Sequence, residues 1–209
     1  MKQALILGTG GHCRVILSLL DVCGEHEVLG IIELGKLSVG ENIMGIPVLG
    51  NASCLDEFCG RSNLDIFLAI GDNEIRQIWW KKAREFGFRL PNLISPYANI
   101  DCQAKLGEAN VVCANVFIGP GAILCDNNLV NTGAIVEHEV LVGSHCHLAP
   151  SSTIAGRSRI GDECFIGAAA TVIDGLSVED GATLGAGATL IRNISEIGGV
   201  YVGTPAKKR

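Results

Sequence analysis

Close-set cysteines are missing from this 209-residue sequence. Nine cysteines occur, at 13, 23, 54, 59, 102, 113, 125, 146 and 164, yet no two form a CxxC pair, which removes the usual spacing of a thiolate metal site. Cys146 and Cys164 stand 18 apart and would bridge only in an oxidising compartment, so reduced packing cysteines are expected. An apolar run of membrane length is also missing: hydrophobic residues reach 48% but are dispersed, which argues against membrane insertion. Basic charge is scarce. Lys plus Arg is 16 against 22 for Asp plus Glu, and a net charge of -6 disfavours nucleic acid or an anionic membrane as partner. The one basic cluster, Lys207-Lys208-Arg209, reads as a loose charged terminus. The start, Met1-Lys2-Gln3-Ala4, has neither the longer apolar stretch nor the small-residue cleavage site of a secretion signal, so a cytoplasmic location is expected.

What is present is a period of six. An aliphatic residue returns at 100, 106, 112, 118, 124, 130, 136, 142, 148, 154, 160, 166, 172, 178, 184 and 190. Neither a helix of 3.6 residues per turn nor a strand of period 2 produces this spacing. A three-sided prism does: one short strand per face, one inward aliphatic per strand, and residue i stacked on residue i+18. The pattern predicts a parallel β-helix of hexapeptides, whose coils bury apolar surface only against one another. The residue two before each aliphatic is usually small, as at Ala122, Ala134, Cys146, Ser152, Cys164 and Ala170, and glycine often follows the aliphatic, as at Gly119, Gly143 and Gly161. The series lapses at Glu196, and Val202 returns in phase, so a loop is expected to leave the prism and rejoin it.

The first part of the chain alternates strand and helix signals. Strands are expected at Ala4–Leu7, Val28–Ile32 and Leu64–Ile70. One helix is expected from about Gly11, with Val15, Leu19, Leu20 and Val22 on one side. A second should run to about Phe86, with Asn73 as a cap and Ile75, Ile78, Trp79 and Phe86 as its apolar side. This describes a small Rossmann-like α/β domain, which binds ligands beyond the carboxyl ends of its strands. Pro91 and Pro96 bracket the change of pattern, giving domains 1–91 and 92–209.

Chemistry can be placed in both parts. Gly8, Gly10 and Gly11 lie between a strand and a helix, where backbone N–H groups can face a phosphate, although His12-Cys13-Arg14 interrupts a full dinucleotide fingerprint. Glu33 closes the second strand, where a carboxylate could reach a ribose or simply meet solvent; Gly71, Asn73 and Arg76 follow the third. In the repeat, His138 falls two places past inward Val136 and is flanked by Glu137 and Glu139. It reads either as a general base oriented by a carboxylate or as a plain surface histidine. His147 also faces outward, and no metal is expected, because alternate residues around corners need not converge. Gly156 stands 18 residues beyond His138, so its N–H would sit near that base, placed to meet a developing oxyanion.

The ordered set Leu7-Gly8-Thr9-Gly10-Gly11-His12, Ala69-Ile70-Gly71-Asp72-Asn73 with Arg76, Asn131 to Glu139, His147-Leu148-Ala149-Pro150 and Val202 to Lys207 resembles the bacterial sugar O-acyltransferase and UDP-amino-sugar N-acetyltransferase family, which includes the sialic-acid and bacillosamine types. The resemblance implies a left-handed β-helix, a homotrimer, and acetyl-CoA in a groove between neighbouring subunits. It implies His138 as catalytic base, Glu139 as its supporting carboxylate, His147 as a lining residue of the donor site, and Gly156 as donor to the thioester oxygen. It implies UDP held by Gly8, Gly10, Gly11, His12, Glu33, Gly71, Asn73 and Arg76. Two positions depart from the family pattern: Glu33 replaces a usual aspartate, and Ser95 a usual histidine before Pro96. The function expected is N-acetylation of a UDP-linked 4-amino sugar in glycan biosynthesis. O-acetylation of a sialic acid or related sugar is the alternative within the class, and a non-catalytic nucleotide-sugar-binding or scaffold protein the alternative outside it.

Overall fold

The computed structural model describes residues 1–35 and 41–209, and the chain divides into two units, Met1–Leu93 and Ile94–Arg209. The first is a mixed α/β unit. Its sheet contains β1 (Lys2–Leu7), β2 (His26–Glu33), β3 (Asn42–Ile43), β4 (Ile46–Asn51) and β5 (Leu64–Leu68), in the order β3-β4-β2-β1-β5. Strand β1 runs parallel to both β2 and β5, so Leu7 sits between Ile32 and Leu68 and the three strands end at one rim. Successive strand residues point to opposite faces, and Ala4, Leu5, Ile6 and Leu7 are all fully buried, so both faces of β1 are covered. The β3–β4 hairpin falls in a stretch for which the sequence suggested no element. Its two-residue turn holds Met44 at φ 52 and Gly45 at φ 84, the left-handed pair that a tight hairpin requires.

Both helices form, but their buried stripes differ from the expected ones. In α1 (Gly11–Cys23) the core side is Cys13, Ile16, Leu17, Leu19 and Leu20, while Val15 and Val22 are exposed. Spacing of 13, 16, 17 and 20 is the i, i+3, i+4, i+7 stripe, and Val15 and Val22 lie off it. In α2 (Asn73–Glu85) the cap is Asp72, not Asn73: the Asp72 carboxylate accepts the Ile75 N–H at 2.9 Å. Arg76 and Ala83, two turns apart, are the buried residues, and Ile75, Ile78 and Phe86 are exposed. Among the described residues no helix is long and apolar enough to cross a membrane.

The second unit is the left-handed parallel β-helix. From Asn99 to Leu190 its strands are two residues long, and the second residue of each points inward. On one face Ile118 stacks on Ile100, Val136 on Ile118, Ile154 on Val136, Val172 on Ile154 and Leu190 on Val172. Parallel pairing sets adjacent coils ~4.8 Å apart, so a side chain is sealed from water only by those above and below it. Val136, Leu148, Ile154 and Ile166 are fully buried, whereas Ile100 and Leu106, near one end, are only partly so. The nine cysteines are unbridged; Cys146 and Cys164 fill two of the small interior positions, their thiols donating to the carbonyls of Gly161 and Glu179.

The last coil departs from the expected phase. Leu184 pairs with Tyr201 and not with Val202, which is 41% exposed, and Ile194 fills the interior ahead of the loop. The basic tail is not loose: Lys207–Lys208 pairs antiparallel with Val200–Val202, and Lys208 Nζ lies 2.7 Å from a Glu196 carboxylate oxygen. Ala206 and Tyr201 pack against the core, so this hook closes the open end of the solenoid.

Ile154→Ala should lower the unfolding free energy by roughly 2–5 kcal/mol, because the stacked coils cannot collapse onto the cavity. Arg159→Ala, at an exposed outward position, should change it by less than about 1 kcal/mol. Urea denaturation of the two variants measures the difference.

Candidate active site

The rim of the α/β unit is shaped by close backbone packing. Gly8 has φ 109, and a Cβ there would lie 2.8 Å from the Ala69 carbonyl oxygen, so only glycine lets the β1–α1 loop lie against the end of β5. Around Gly10, Gly11 and Gly71, by contrast, nothing stands within 4 Å of an added Cβ. Gly10 is the N-cap of α1 and supplies no side-chain acceptor, so the first-turn N–H groups present a partial positive charge at an open surface.

Two charged residues of the expected nucleotide site are engaged with the loops themselves. One Glu33 carboxylate oxygen accepts the Thr9 hydroxyl, and the other accepts the N–H groups of Leu34 and Gly35 at 2.8 Å each. Burial alone would raise the Glu33 carboxyl, but the Thr9 hydroxyl and the Gly35 and Leu34 N–H groups together outweigh it and hold it below the ordinary 4.5. Arg76 is 2% exposed. Its Nη1 donates to the carbonyls of Ile70 at 3.2 Å and Gly71 at 3.4 Å, and its Nη2 to the Asn73 side-chain oxygen at 2.9 Å. It therefore fastens the β5–α2 loop from inside. A second buried charge group, which the sequence did not signal, lies at the opposite ends of the strands. Asp65, fully buried, accepts from Arg89 Nε at 2.8 Å and pairs with His26 Nε2 at 2.9 Å.

On the prism, His138, Glu139 and Gly156 come together at one corner. His138 Nδ1 is 3.2 Å from Glu139 Oε2. The carboxylate can only accept, so in the neutral ring the proton sits on Nδ1 and the lone pair on Nε2. The ring lies against Gly156: a Cβ there would stand 2.5 Å from His138 Cε1, so no other residue leaves the imidazole its place. The corner is built by the turn after each inward residue. Glu139 and Arg157 take left-handed angles, φ 58 and 61, and their N–H groups bond back one coil, to Pro120 and His138 carbonyls at 3.0 Å each. His147 is elsewhere, on another face, half-buried, with its ring edge-on to Phe165 at 5.1 Å. No group of side chains suited to hold a metal ion occurs among the described residues. Burial pushes the Cys13 and Cys113 thiols up to about 11, far from a thiolate nucleophile at neutral pH. The corner also holds an ion pair, not signalled by the residues around His138, of Arg157 Nη2 with Asp174 Oδ2 at 3.0 Å. Counting 18 residues on from Gly156 would have found it.

Two family models match separate parts of the chain. Residues 3–83 match the model of the PglD N-terminal domain, and residues 158–192 that of the hexapeptide repeat of succinyl-transferase. Among solved structures, a variant of GDP-perosamine N-acetyltransferase from Caulobacter crescentus, in complex with CoA and GDP-perosamine, is 34% identical. The match covers 100% of this chain and 97% of that one, with a TM-score of 0.94. The acetyltransferase domain of PglB from Neisseria gonorrhoeae, in complex with acetyl coenzyme A, is 33% identical over 100% and 99% of the two chains, with a TM-score of 0.92. WeeI from Acinetobacter baumannii, at 19% identity over the full length of both chains and a TM-score of 0.68, shares the fold.

The chain is a hexapeptide-repeat acyltransferase. Within that class it belongs to the family of the Caulobacter perosamine enzyme and the gonococcal PglB domain, and it is an acetyltransferase.

Because the Glu33 carboxyl is held low in the folded chain, its contribution to stability is complete above pH 4.5 and is lost as the pH falls through the folded value. Glu33→Gln should flatten the acid limb of the stability curve below that pH, read from thermal melts across a pH series.

Proposed function

We propose that this protein transfers the acetyl group of acetyl-CoA to the amine of a nucleotide-linked 4-amino sugar in glycan biosynthesis. The observation that carries the reading is the corner where the Nε2 side of His138, backed by Glu139, lies against Gly156. The match to a perosamine N-acetyltransferase crystallised with CoA and a GDP-sugar, and to a PglB domain crystallised with acetyl coenzyme A, supports both substrates. The family resemblance of the loops favours UDP as the nucleotide; the Caulobacter relative is named for a GDP-sugar, so the base is the finer question. Gly8, Gly10, Gly11, His12, Glu33, Gly71, Asn73 and Arg76 belong to the loops that would hold the nucleotide, and the open helix N-terminus at Gly10 and Gly11 suits its diphosphate. His147 is assigned to the lining of the donor site, and the working form is a homotrimer.

In the reaction His138 Nε2 takes a proton from the sugar amine as the nitrogen attacks the thioester carbon. Glu139 accepts the Nδ1 hydrogen, fixes the ring and stabilises the imidazolium. Negative charge develops on the former carbonyl oxygen, and the Gly156 N–H meets it there. The C–S bond then breaks, the carbonyl reforms as an amide, and the CoA thiolate takes up the proton held by the imidazolium. No acyl-enzyme is needed. Positioning the two substrates together and a fixed dipole at the oxyanion would each supply several kcal/mol of the rate gain.

His138→Ala should lower kcat by roughly 10²–10⁴-fold with little change in CoA affinity; unchanged turnover would remove the base assignment. Release of free thiol from acetyl-CoA, measured across UDP- and GDP-linked amino sugars and free sialic acids, should be confined to the nucleotide-linked amines. Product mass distinguishes N- from O-acetylation, and a preference for sialic acid would replace this reading with O-acetyl transfer.

A further inference from the structure

One corner of the prism caps a backbone amide that another corner leaves uncapped, and the difference falls on Gly156. On the corner after Leu106, Leu124, Val142 and Ile160, the amide two residues past the inward side chain is capped from the same position one coil on. The Glu108 N–H donates to Asp126 Oδ1 at 2.8 Å, Asp126 N–H to Ser144 Oγ at 3.3 Å, Ser144 N–H to Asp162 Oδ1 at 2.7 Å, and Asp162 N–H to Asp180 Oδ1 at 2.8 Å. Each capping aspartate reaches its amide over a glycine: a Cβ at Gly107, Gly143 or Gly161 would overlap the Oδ1 of Asp126, Asp162 or Asp180. Where Cys125 takes the glycine's place, the cap is the smaller serine and the bond is the longest of the four.

The corner after Val136, Ile154 and Val172 has the same register. Asp174 stands to Gly156 as Asp180 stands to Asp162, so the pattern would make Asp174 the cap of the Gly156 N–H. It is not: Asp174 Oδ2 accepts instead from Arg157 Nη2 at 3.0 Å. The residue before Gly156 is Ala155, which carries a Cβ where the other corner has glycine. Among the described residues the Gly156 N–H meets no acceptor.

We infer that Arg157 and Ala155 are positioning residues that keep the Asp174 carboxylate off the Gly156 amide and so leave that amide open to the thioester oxygen. The inference rests on reading Gly156 as the oxyanion donor. A carboxylate in the capping position would do harm twice. It would occupy the donor, and it would set a negative charge where the reaction builds another. Arg157 turns the carboxylate aside and balances its charge, while the Ala155 Cβ fills the space over which it would reach. Both partners of the Arg157–Asp174 pair are more than half exposed, and such pairs contribute little to stability, so the effect belongs in turnover.

The double variant Ala155→Gly with Arg157→Ala recreates the capped corner. Its kcat should fall by up to roughly a hundredfold to a thousandfold, the range for losing one oxyanion donor, and exchange of the Gly156 amide, followed by NMR on glycine-labelled protein, should slow. Adding Asp174→Ala should return kcat to within a few-fold of the parent and restore the parent's exchange rate. An unchanged kcat in the double variant would overturn the inference, as would a loss that Asp174→Ala fails to relieve, the result expected if Arg157 held a substrate directly. His138→Ala in the same assay tests the underlying reading separately, and the exchange measurement reports on the Gly156 amide whichever way that test falls.

Discussion

The structure depends on parallel backbone pairing between coils, which places every residue of the prism directly on the one 18 positions earlier. This single register makes the core, because an isolated coil cannot cover its own inward aliphatic, and stacking seals each side chain between two others. The same register makes the candidate site. His138 and Gly156 are distant in sequence, yet they occupy equivalent corner positions on successive coils, and the coil spacing lays the imidazole against Gly156. Chemistry here is a by-product of a repeat whose inward positions are fixed and whose corner positions are free to vary.

Corners are where that freedom is used. A corner amide pointing out of the coil must find an acceptor or face solvent, and on one edge of the prism a ladder of aspartates and a serine supplies it. On the edge with His138 the side chain that could cap Gly156 is absorbed in an ion pair. A donor left unsatisfied in the resting protein is a stability cost of the order of a lost hydrogen bond, ~1 kcal/mol, and in the proposed mechanism a developing oxyanion recovers it. The α/β unit follows the opposite course. There Glu33 and Arg76 direct their polar atoms to backbone groups of their own loops, fixing the rim in advance. Loops held by a buried guanidinium and a shared carboxylate have less conformational freedom to lose when a ligand arrives.

Much of this was legible from residue spacing. The period of six implied the prism, its three faces and the stacking of Gly156 on His138. The glycine turn before α1 and the three principal strands were also visible. Other features were misread for identifiable reasons. Val15, Val22, Ile75 and Ile78 are apolar but lie off the stripe that meets the sheet, so their hydrophobicity said nothing of their burial. Asp72 displaced Asn73 as cap because its carboxylate reaches the Ile75 N–H while the Asn73 side chain is taken by Arg76. Val202 kept the count of six, yet the loop before it changed the path length, and Tyr201 came to stack on Leu184 instead.

Residue spacing alone dictated the repeat, since one inward aliphatic per six residues has only one economical way to be buried. It also determined which residues share a corner, because register in a solenoid is simple arithmetic. The directions of the polar side chains, by contrast, were settled in the folded chain. Arg76 turns inward to carbonyls, Glu33 closes on Thr9, and Asp174 turns to Arg157 and away from Gly156. Each such choice is a competition among several acceptors and donors within reach, settled by a Cβ present or absent and by a charge one coil away, and spacing along the chain does not encode its outcome.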